Sequence, residues 1–265
     1  MRKNKVKEKL LRGEPVLGIW QSINSMDLAE MSGYSGYDFV IFDTEHGPMS
    51  AESCIPLICA SERTNLIPII RVSEIQKTYI LKALDVGAMG IIFPMVSTYE
   101  EAKKAVSWSK YIQREGEKRK EFRGLISVSR AAGYGLAIDE KTHLKTSNKE
   151  IMLIVQFETK EAVDNLDEIL KLEEIDVVFI GSYDLSQSLG FPGEINNPMV
   201  KNIIEEAIKK IINSGKVAGA IVVSPDSIKY WIELGVKFIT CHQTIILTKA
   251  LSNFVDNFNK VIQDW

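Results

Sequence analysis

The feature that most constrains this chain is a recurrence. Eight short apolar runs, rich in β-branched residues, alternate with longer stretches of helical character. They are V-L-G-I-W (16–20), F-V-I-F-D (39–43), I-P-I-I-R-V (67–72), G-I-I-F-P (90–94), I-M-L-I-V-Q-F-E (151–158), V-V-F-I-G (177–181), A-G-A-I-V-V (218–223) and V-K-F-I-T-C (236–241). Each run is nearly continuous in apolar character, whereas a strand with one wet face would alternate. Continuity of this kind marks parallel strands covered on both faces. The stretches between them carry helix-start signals: Pro48 ahead of 50–63, Ser97-Thr98 ahead of 100–111, Thr159 ahead of 160–172, Asn197-Pro198 ahead of 199–214, and Ser224-Pro225 ahead of 226–234. Gly33, Gly87, Gly215 and Gly235 stand where helices are expected to end.

Eight β/α units in 265 residues predict a (β/α)8 TIM barrel. A doubly wound open sheet uses the same units but usually marks its first turn with G-x-G-x-x-G, and the turn from Trp20 to Asp27 has no glycine. No repeat, low-complexity tract or linker divides the chain, so residues 1–265 read as one domain. One interval breaks the rhythm. Strand four ends near Pro94 and strand five begins near Ile151, more than a single helix needs. The middle of this interval, Lys110 to Arg123, is charged and reads as an exposed excursion. The following G-L-I-S-V-S-R-A-A-G-Y-G (124–135) is small and glycine-rich, and is expected to be a lid or binding loop beside the site.

Charge and cysteine content remove several function classes. The 32 basic residues are scattered among 35 acidic ones for a net charge of −3, which gives no nucleic-acid footprint. No apolar run approaches the ~18 residues of a membrane span. The basic start, Met1 to Leu10, lacks a following apolar core and reads as a solvated amphipathic helix, not a secretory signal. Three cysteines fit a reducing cytoplasm better than a disulfide scaffold.

In a barrel, chemistry sits at the C-terminal ends of the strands. Those ends hold Asp43-Thr44-Glu45-His46, Arg71, Gln156 and Glu158, and Gly181-Ser182-Tyr183-Asp184. Polar groups of this number on one rim are costly to bury idle. Glu158 and Asp184 are two hard oxygen ligands suited to Mg²⁺ or Mn²⁺, or else partners of Arg71 in a salt-bridge network. Arg71 can fork onto a carboxylate or oxyanion, or serve as structural partner to Asp43 or Glu45. His46 is either a general base or a surface-loop histidine. Asp85 falls at the end of the helix before strand four, ordinarily a solvated position that opposes the helix dipole. Cys241-His242 could mimic a zinc pair, but adjacent strand residues point to opposite faces. Cys54 and Cys59 read as core thiols of a helix.

Taken in order, L-G-I-W, F-V-I-F-D-T-E-H-G-P, P-I-I-R-V, K-A-L-D-V-G-A-M-G-I-I-F-P-M-V, I-V-Q-F-E-T and F-I-G-S-Y-D-L-S-Q-S-L-G resemble the HpcH/HpaI aldolase family of metal-dependent pyruvate aldolases, over roughly residues 16–240. The resemblance implies a divalent ion (Mg²⁺ or Mn²⁺, with Co²⁺ or Zn²⁺ as alternatives) held by Glu158 and Asp184. It implies pyruvate on that ion, Arg71 at the keto oxygen, and the segment around Ser182, Tyr183 and Asp184 at the carboxylate. His46 supported by Asp85 would be the acid/base group, working through a water, with Gln156, Asp43 and Glu45 behind them. It further implies a small aldehyde as second partner and a homo-oligomer, a hexamer or trimer of dimers, built by exchange of a C-terminal helix over 245–262. Three departures stand out. Ser182 replaces the family's proline, K-R-K-E-F-R-G retains only Arg123-Gly124 of the usual loop approach, and Gln243 occupies a region where relatives carry an aspartate. The rivals are a lyase acting on CoA thioesters, a Schiff-base aldolase with Lys160 as the nearest lysine, and a silent binding protein on the same barrel.

Overall fold

Each of the eight apolar runs becomes a strand, and in the computed structural model, which describes residues 2–112 and 120–263, they pair in chain order until the last returns to the first. The strands are β1 (Val16–Gln21), β2 (Phe39–Asp43), β3 (Ile67–Arg71), β4 (Gly90–Phe93), β5 (Met152–Phe157), β6 (Val177–Ile180), β7 (Val217–Ile221) and β8 (Phe238–His242). All neighbours are parallel and β8 pairs with β1, so no edge is left open. The (β/α)8 barrel is the architecture.

Strand periodicity divides the core in two. One set of alternate residues fills the barrel interior: Phe39, Ile41, Ile67, Ile69, Met152, Ile154, Phe179 and Phe238. Phe39 stacks on Phe238 at 4.2 Å between centroids, a fit that requires Gly18, since a Cβ there would lie 2.0 Å from the Phe39 ring. The other set packs outward beneath the helices. A short first helix, α1 (Lys5–Leu11), contributes Val6 and Leu10 to the interior cluster. The Asn4 amide donates to the carbonyls of Met89 and Glu150 and ties α1 to the barrel.

The helices around the barrel are α2 (Met26–Tyr34), α3 (Cys54–Arg63), α4 (Lys77–Asp85), α5 (Tyr99–Ser109), α6 (Glu140–Glu150), α7 (Lys160–Ile169), α8 (Ser182–Ser188), α9 (Pro198–Asn213), α10 (Asp226–Glu233) and α11 (Gln243–Gln263). Their starts follow the expected chemistry. Thr98 and Glu101 form a reciprocal capping box on α5, Thr159 caps α7, and Asn197 caps α9 with Pro198 at its first position. Gly87, Gly215 and Gly235 leave their helices with positive φ, as expected. Gly33 instead lies inside α2, where an added Cβ would lie 1.9 Å from Thr64, so it serves the close approach to the end of α3.

The long interval after β4 departs from the sequence reading. The charged stretch predicted as an excursion lies partly outside the described residues, at 113–119. The segment after it is not a lid over the strand ends. Helices of a β/α barrel run antiparallel to the strands, so helix C-termini lie at the end opposite the strand C-termini. Arg130 reaches Glu62, at the C-terminal end of α3, at 2.6 Å and the carbonyl of Val86, just past α4, at 3.0 Å. A 3-10 turn over Arg130–Gly135 and the additional helix α6 complete this flank. No helix among the described residues is long and apolar enough to cross a membrane.

Candidate active site

The interior rows change character at their C-terminal ends. The rows Phe39–Ile41–Asp43, Ile67–Ile69–Arg71, Met152–Ile154–Gln156 and Phe238–Thr240–His242 each follow the two-residue period from apolar packing to a polar group. Asp43 and Arg71 are register partners across β2 and β3. They form a fork-to-fork pair, Arg71 Nε to Asp43 Oδ1 at 2.9 Å and Nη2 to Oδ2 at 2.6 Å. Asp43 is also the acceptor for the backbone N–H groups of Glu45 and His46, which curls the β2 exit around its carboxylate. Burial alone would raise the Asp43 carboxyl, but the guanidinium and these two N–H groups hold it below the ordinary range.

Arg71 is locked further. Its guanidinium lies 4.6 Å from the centre of the Trp20 ring, and the Trp20 indole N–H donates to Thr240. Its remaining nitrogen, Nη1, meets Glu45 at 2.9 Å and Gln156 Oε1 at 3.4 Å. Gln156 then donates through Nε2 to Glu158 Oε2 at 2.8 Å. Thus a continuous polar chain runs from Asp43 through Arg71 and Gln156 to Glu158. Burial raises the Glu45 carboxyl, partly countered by Arg71.

Glu158 is 3% exposed and accepts the Met95 backbone N–H on Oε1 at 2.6 Å. Burial pushes its carboxyl up to about 7, opposed by the Met95 N–H and reinforced by the charges of Asp184 and Glu45. Space for it exists because residue 181 is glycine: a Cβ there would lie 2.4 Å from Glu158 Oε2. Asp184, exposed, follows from the first turn of α8. Among the described residues no three His, Cys, Asp or Glu side chains cluster as a self-sufficient metal site. Two carboxylates, one of them desolvated and short of positive charge, nevertheless fit a hard divalent ion that draws its other ligands from water and substrate.

A cavity of about 290 Å³ opens over this cluster, lined in part by Trp20, Asp43, His46, Arg71, Gln156 and Asp184. Larger cavities exist, including one of about 540 Å³ bordered by α3 and α4. The polar chain meets only the former. Ser182 and Tyr183 also line it, the first buried and the second half-exposed. His46 is exposed on its rim.

Asp85 is not brought to His46 within the chain. It closes α4 at the opposite end of the barrel and pairs at 2.7 Å with Arg123, whose side chain is fully buried. Two residues of the site went unassigned in the sequence reading. Trp20 supports Arg71. His242 lines the cavity while Cys241 turns the other way to meet Tyr37 at 3.3 Å, so the expected divergence of the pair is real. Burial lowers the His242 imidazole below its ordinary value. The signal for His242 was its parity with Phe238 and Thr240.

Residues 17–239 match the family described as HpcH/HpaI aldolase/citrate lyase. The 2-keto-3-deoxy-L-rhamnonate aldolase of Escherichia coli (strain K12) is 39% identical over 250 residues, covering 94% of this chain and 90% of the relative. An HpcH/HpaI aldolase/citrate lyase family protein from Burkholderia cenocepacia J2315 superposes with a TM-score of 0.90 at 27% identity, over 97% of this chain and all of the other. The citrate synthase SbnG superposes at 0.85 with 30% identity, over 97% and 98% of the two chains. With its motifs in order and its barrel closed around the same strand ends, the chain belongs to the HpcH/HpaI aldolase/citrate lyase family.

Proposed function

We propose that this chain is a carbon–carbon lyase of the pyruvate aldolase type, reversibly cleaving a 4-hydroxy-2-oxo acid to pyruvate and an aldehyde. The observation that carries the reading is the polar chain Asp43–Arg71–Gln156–Glu158, ending beneath a cavity that His46 and Asp184 share. The 39% identity to a named aldolase favours this reaction over citrate chemistry, which enters through a 30% structural likeness.

Glu158 and Asp184 would hold the divalent ion, with Mg²⁺ and Mn²⁺ the best matches to two carboxylates. That ion, when bound, supplies Lewis-acid stabilisation of the enolate charge. The chain's own groups do the rest. Arg71, fixed by Asp43 and Trp20, presents Nη1 to the keto oxygen as negative charge builds there. Gln156 keeps Arg71 and Glu158 in mutual register. His46, exposed at the rim, takes the proton of the 4-hydroxyl in cleavage and returns it in synthesis. Ser182, Tyr183 and Asp184 border the position assigned to the pyruvate carboxylate. Within one chain Asp85 has the role of Arg123's counter-ion, and no proton step is routed through it.

The surface of α11 supports a homo-oligomer. Its residues Leu251, Phe254, Val255, Phe258, Val261 and Ile262 follow helical spacing, and all are exposed on a single chain. A second copy is the partner that an apolar stripe of this length calls for. A reducing cytoplasm is the compartment that free Cys54, Cys59 and Cys241 suit.

The test is deuterium uptake by pyruvate in the presence of Mn²⁺, followed by product formation with a panel of short aldehydes. Exchange that is abolished by EDTA and restored by Mn²⁺ is expected. An enzyme that exchanges no pyruvate protons, or that condenses acetyl-CoA with glyoxylate instead, would overturn the reading.

A further inference from the structure

The turn after β4 carries an oddity that the reaction scheme leaves unused. From Gly87 to Ser97 every residue is buried except Met95, which is 53% exposed. Met95 is also one of three non-glycine residues with positive φ among the described residues, at 54°, and the one of them hydrogen-bonded to the strand-end cluster. A left-handed conformation is costly for a side chain of this kind and is kept only where surrounding structure imposes it.

The surroundings show what the conformation achieves. Pro94 fixes its own φ and cannot donate a hydrogen bond, so the first N–H available after β4 is that of Met95. Turning left-handed, Met95 sends its side chain to solvent while its N–H meets Glu158 Oε1 at 2.6 Å. The turn is pinned from the far side. Ser97 Oγ lies 2.7 Å from Thr159 Oγ1, the residue after Glu158, and Asn165 donates to the Ser97 carbonyl at 3.0 Å. Gln156 takes the other oxygen of the same carboxylate. Glu158 is thereby held by one donor on each oxygen, and each oxygen retains a lone pair.

We propose that Met95 is a positioning residue, and that the left-handed backbone at this position, not the methionine side chain, sets the affinity of the Glu158 carboxylate for a divalent cation. The proposal rests on the reading of Glu158 as a cation ligand. Its logic is geometric: a carboxylate fixed in advance loses no rotamer freedom when the cation arrives, and a freed one does.

Substitutions separate backbone from side chain, because position 95 is exposed and its packing matters little. Met95→Gly and Met95→Asn both tolerate positive φ. Met95→Ile does not, and Met95→Thr repeats that test with a polar β-branched side chain. Mn²⁺ binding to the metal-free full-length protein is titrated by the loss of the free-ion electron paramagnetic resonance signal, with melting temperature recorded alongside. Glycine and asparagine variants are expected within about twofold of the native affinity, and the β-branched variants about tenfold weaker, the scale of a strained backbone residue. A β-branched variant that melts early yet binds Mn²⁺ as tightly as the native chain overturns the proposal, since the strain would then be purely structural. So does a glycine variant as weak as the isoleucine one. A native chain that binds no Mn²⁺ overturns the metal reading first, and this proposal with it.

Discussion

Replacing Glu158 with glutamine should remove from the metal-free protein a loss of stability that the native chain suffers between acid and alkaline pH. The Glu158 carboxyl moves from 4.5 to about 7 on folding, chiefly through burial. At 1.36 kcal/mol per pKa unit this corresponds to about 3 kcal/mol. The sign follows from proton counts. Below about pH 4.5 both folded and unfolded chains hold the proton, so the group contributes nothing. Between about 4.5 and 7 the unfolded chain releases it and the folded chain does not, so stability falls as pH rises. Above about pH 7 both are ionised and the full penalty is in place. The native protein in EDTA should therefore lose about 2 to 3 kcal/mol from this group between pH 5 and pH 8, and Glu158→Gln should not. The new amide also faces the Gln156 Nε2 donor, an offset that is independent of pH and cancels in the comparison. Urea unfolding of both proteins at the two pH values measures the difference. Excess Mn²⁺ should recover stability at pH 8 in the native chain alone. Parallel pH dependence of the two proteins would refute the idea that this carboxyl is held desolvated and short of positive charge.

Three further outcomes follow from the same geometry. Arg71→Lys keeps the charge but cannot span both oxygens of Asp43, so pyruvate deuterium exchange should fall by about 10²-fold or more; normal exchange would make the arginine structural. Asp85→Ala strands the fully buried Arg123 guanidinium and should cost about 3 kcal/mol in urea unfolding, with pyruvate exchange per folded chain little changed if no step passes through Asp85 in its own barrel. His143 is fully buried, and burial lowers its imidazole to about 4. Unfolded chains protonate at about 6.5, so stability should drop as pH falls from about 6.5 to 4, and His143→Phe should flatten that limb in acid denaturation.

How far the sequence could be read depended on whether a residue's place follows from strand period. Asp43, Arg71 and Gln156 lie on the interior parity of their strands, and Glu158 continues that parity just past β5; all were legible from the runs that precede them. His242 obeys the same rule. It escaped because Cys241-His242 was weighed as a pair, when the divergence that disqualifies a zinc site also directs the histidine inward. The flank after β4 is different in kind. Its path is decided by Arg130 finding Glu62 and Arg123 finding Asp85, contacts 68 and 38 residues apart in sequence. Local composition carries no record of which end of a barrel a loop returns to. Small residues and glycines suited a lid, and also suited a 3-10 turn packed beneath α4. Asp85 shows the same limit: its sequence neighbourhood gives its place at the end of α4, while its partner Arg123 comes from across the fold.

Gly181 has an evolutionary consequence. Its φ of −87° is open to any amino acid, so the backbone makes no demand for glycine. The demand comes from Glu158, whose Oε2 and Cβ would stand 2.4 and 2.7 Å from an added methyl. Alanine there would press on Glu158 at its Cβ as well as at its carboxylate, beside the Gly181 N–H bond to the Phe157 carbonyl, so the side chain could not simply swing away from the contact. On the role proposed for Glu158, a lineage built on this barrel stands one codon change from a disturbed site, and one reversion from regaining it. Among relatives, the residue at this position should sort working lyases from barrels recruited to other duties more sharply than overall similarity does.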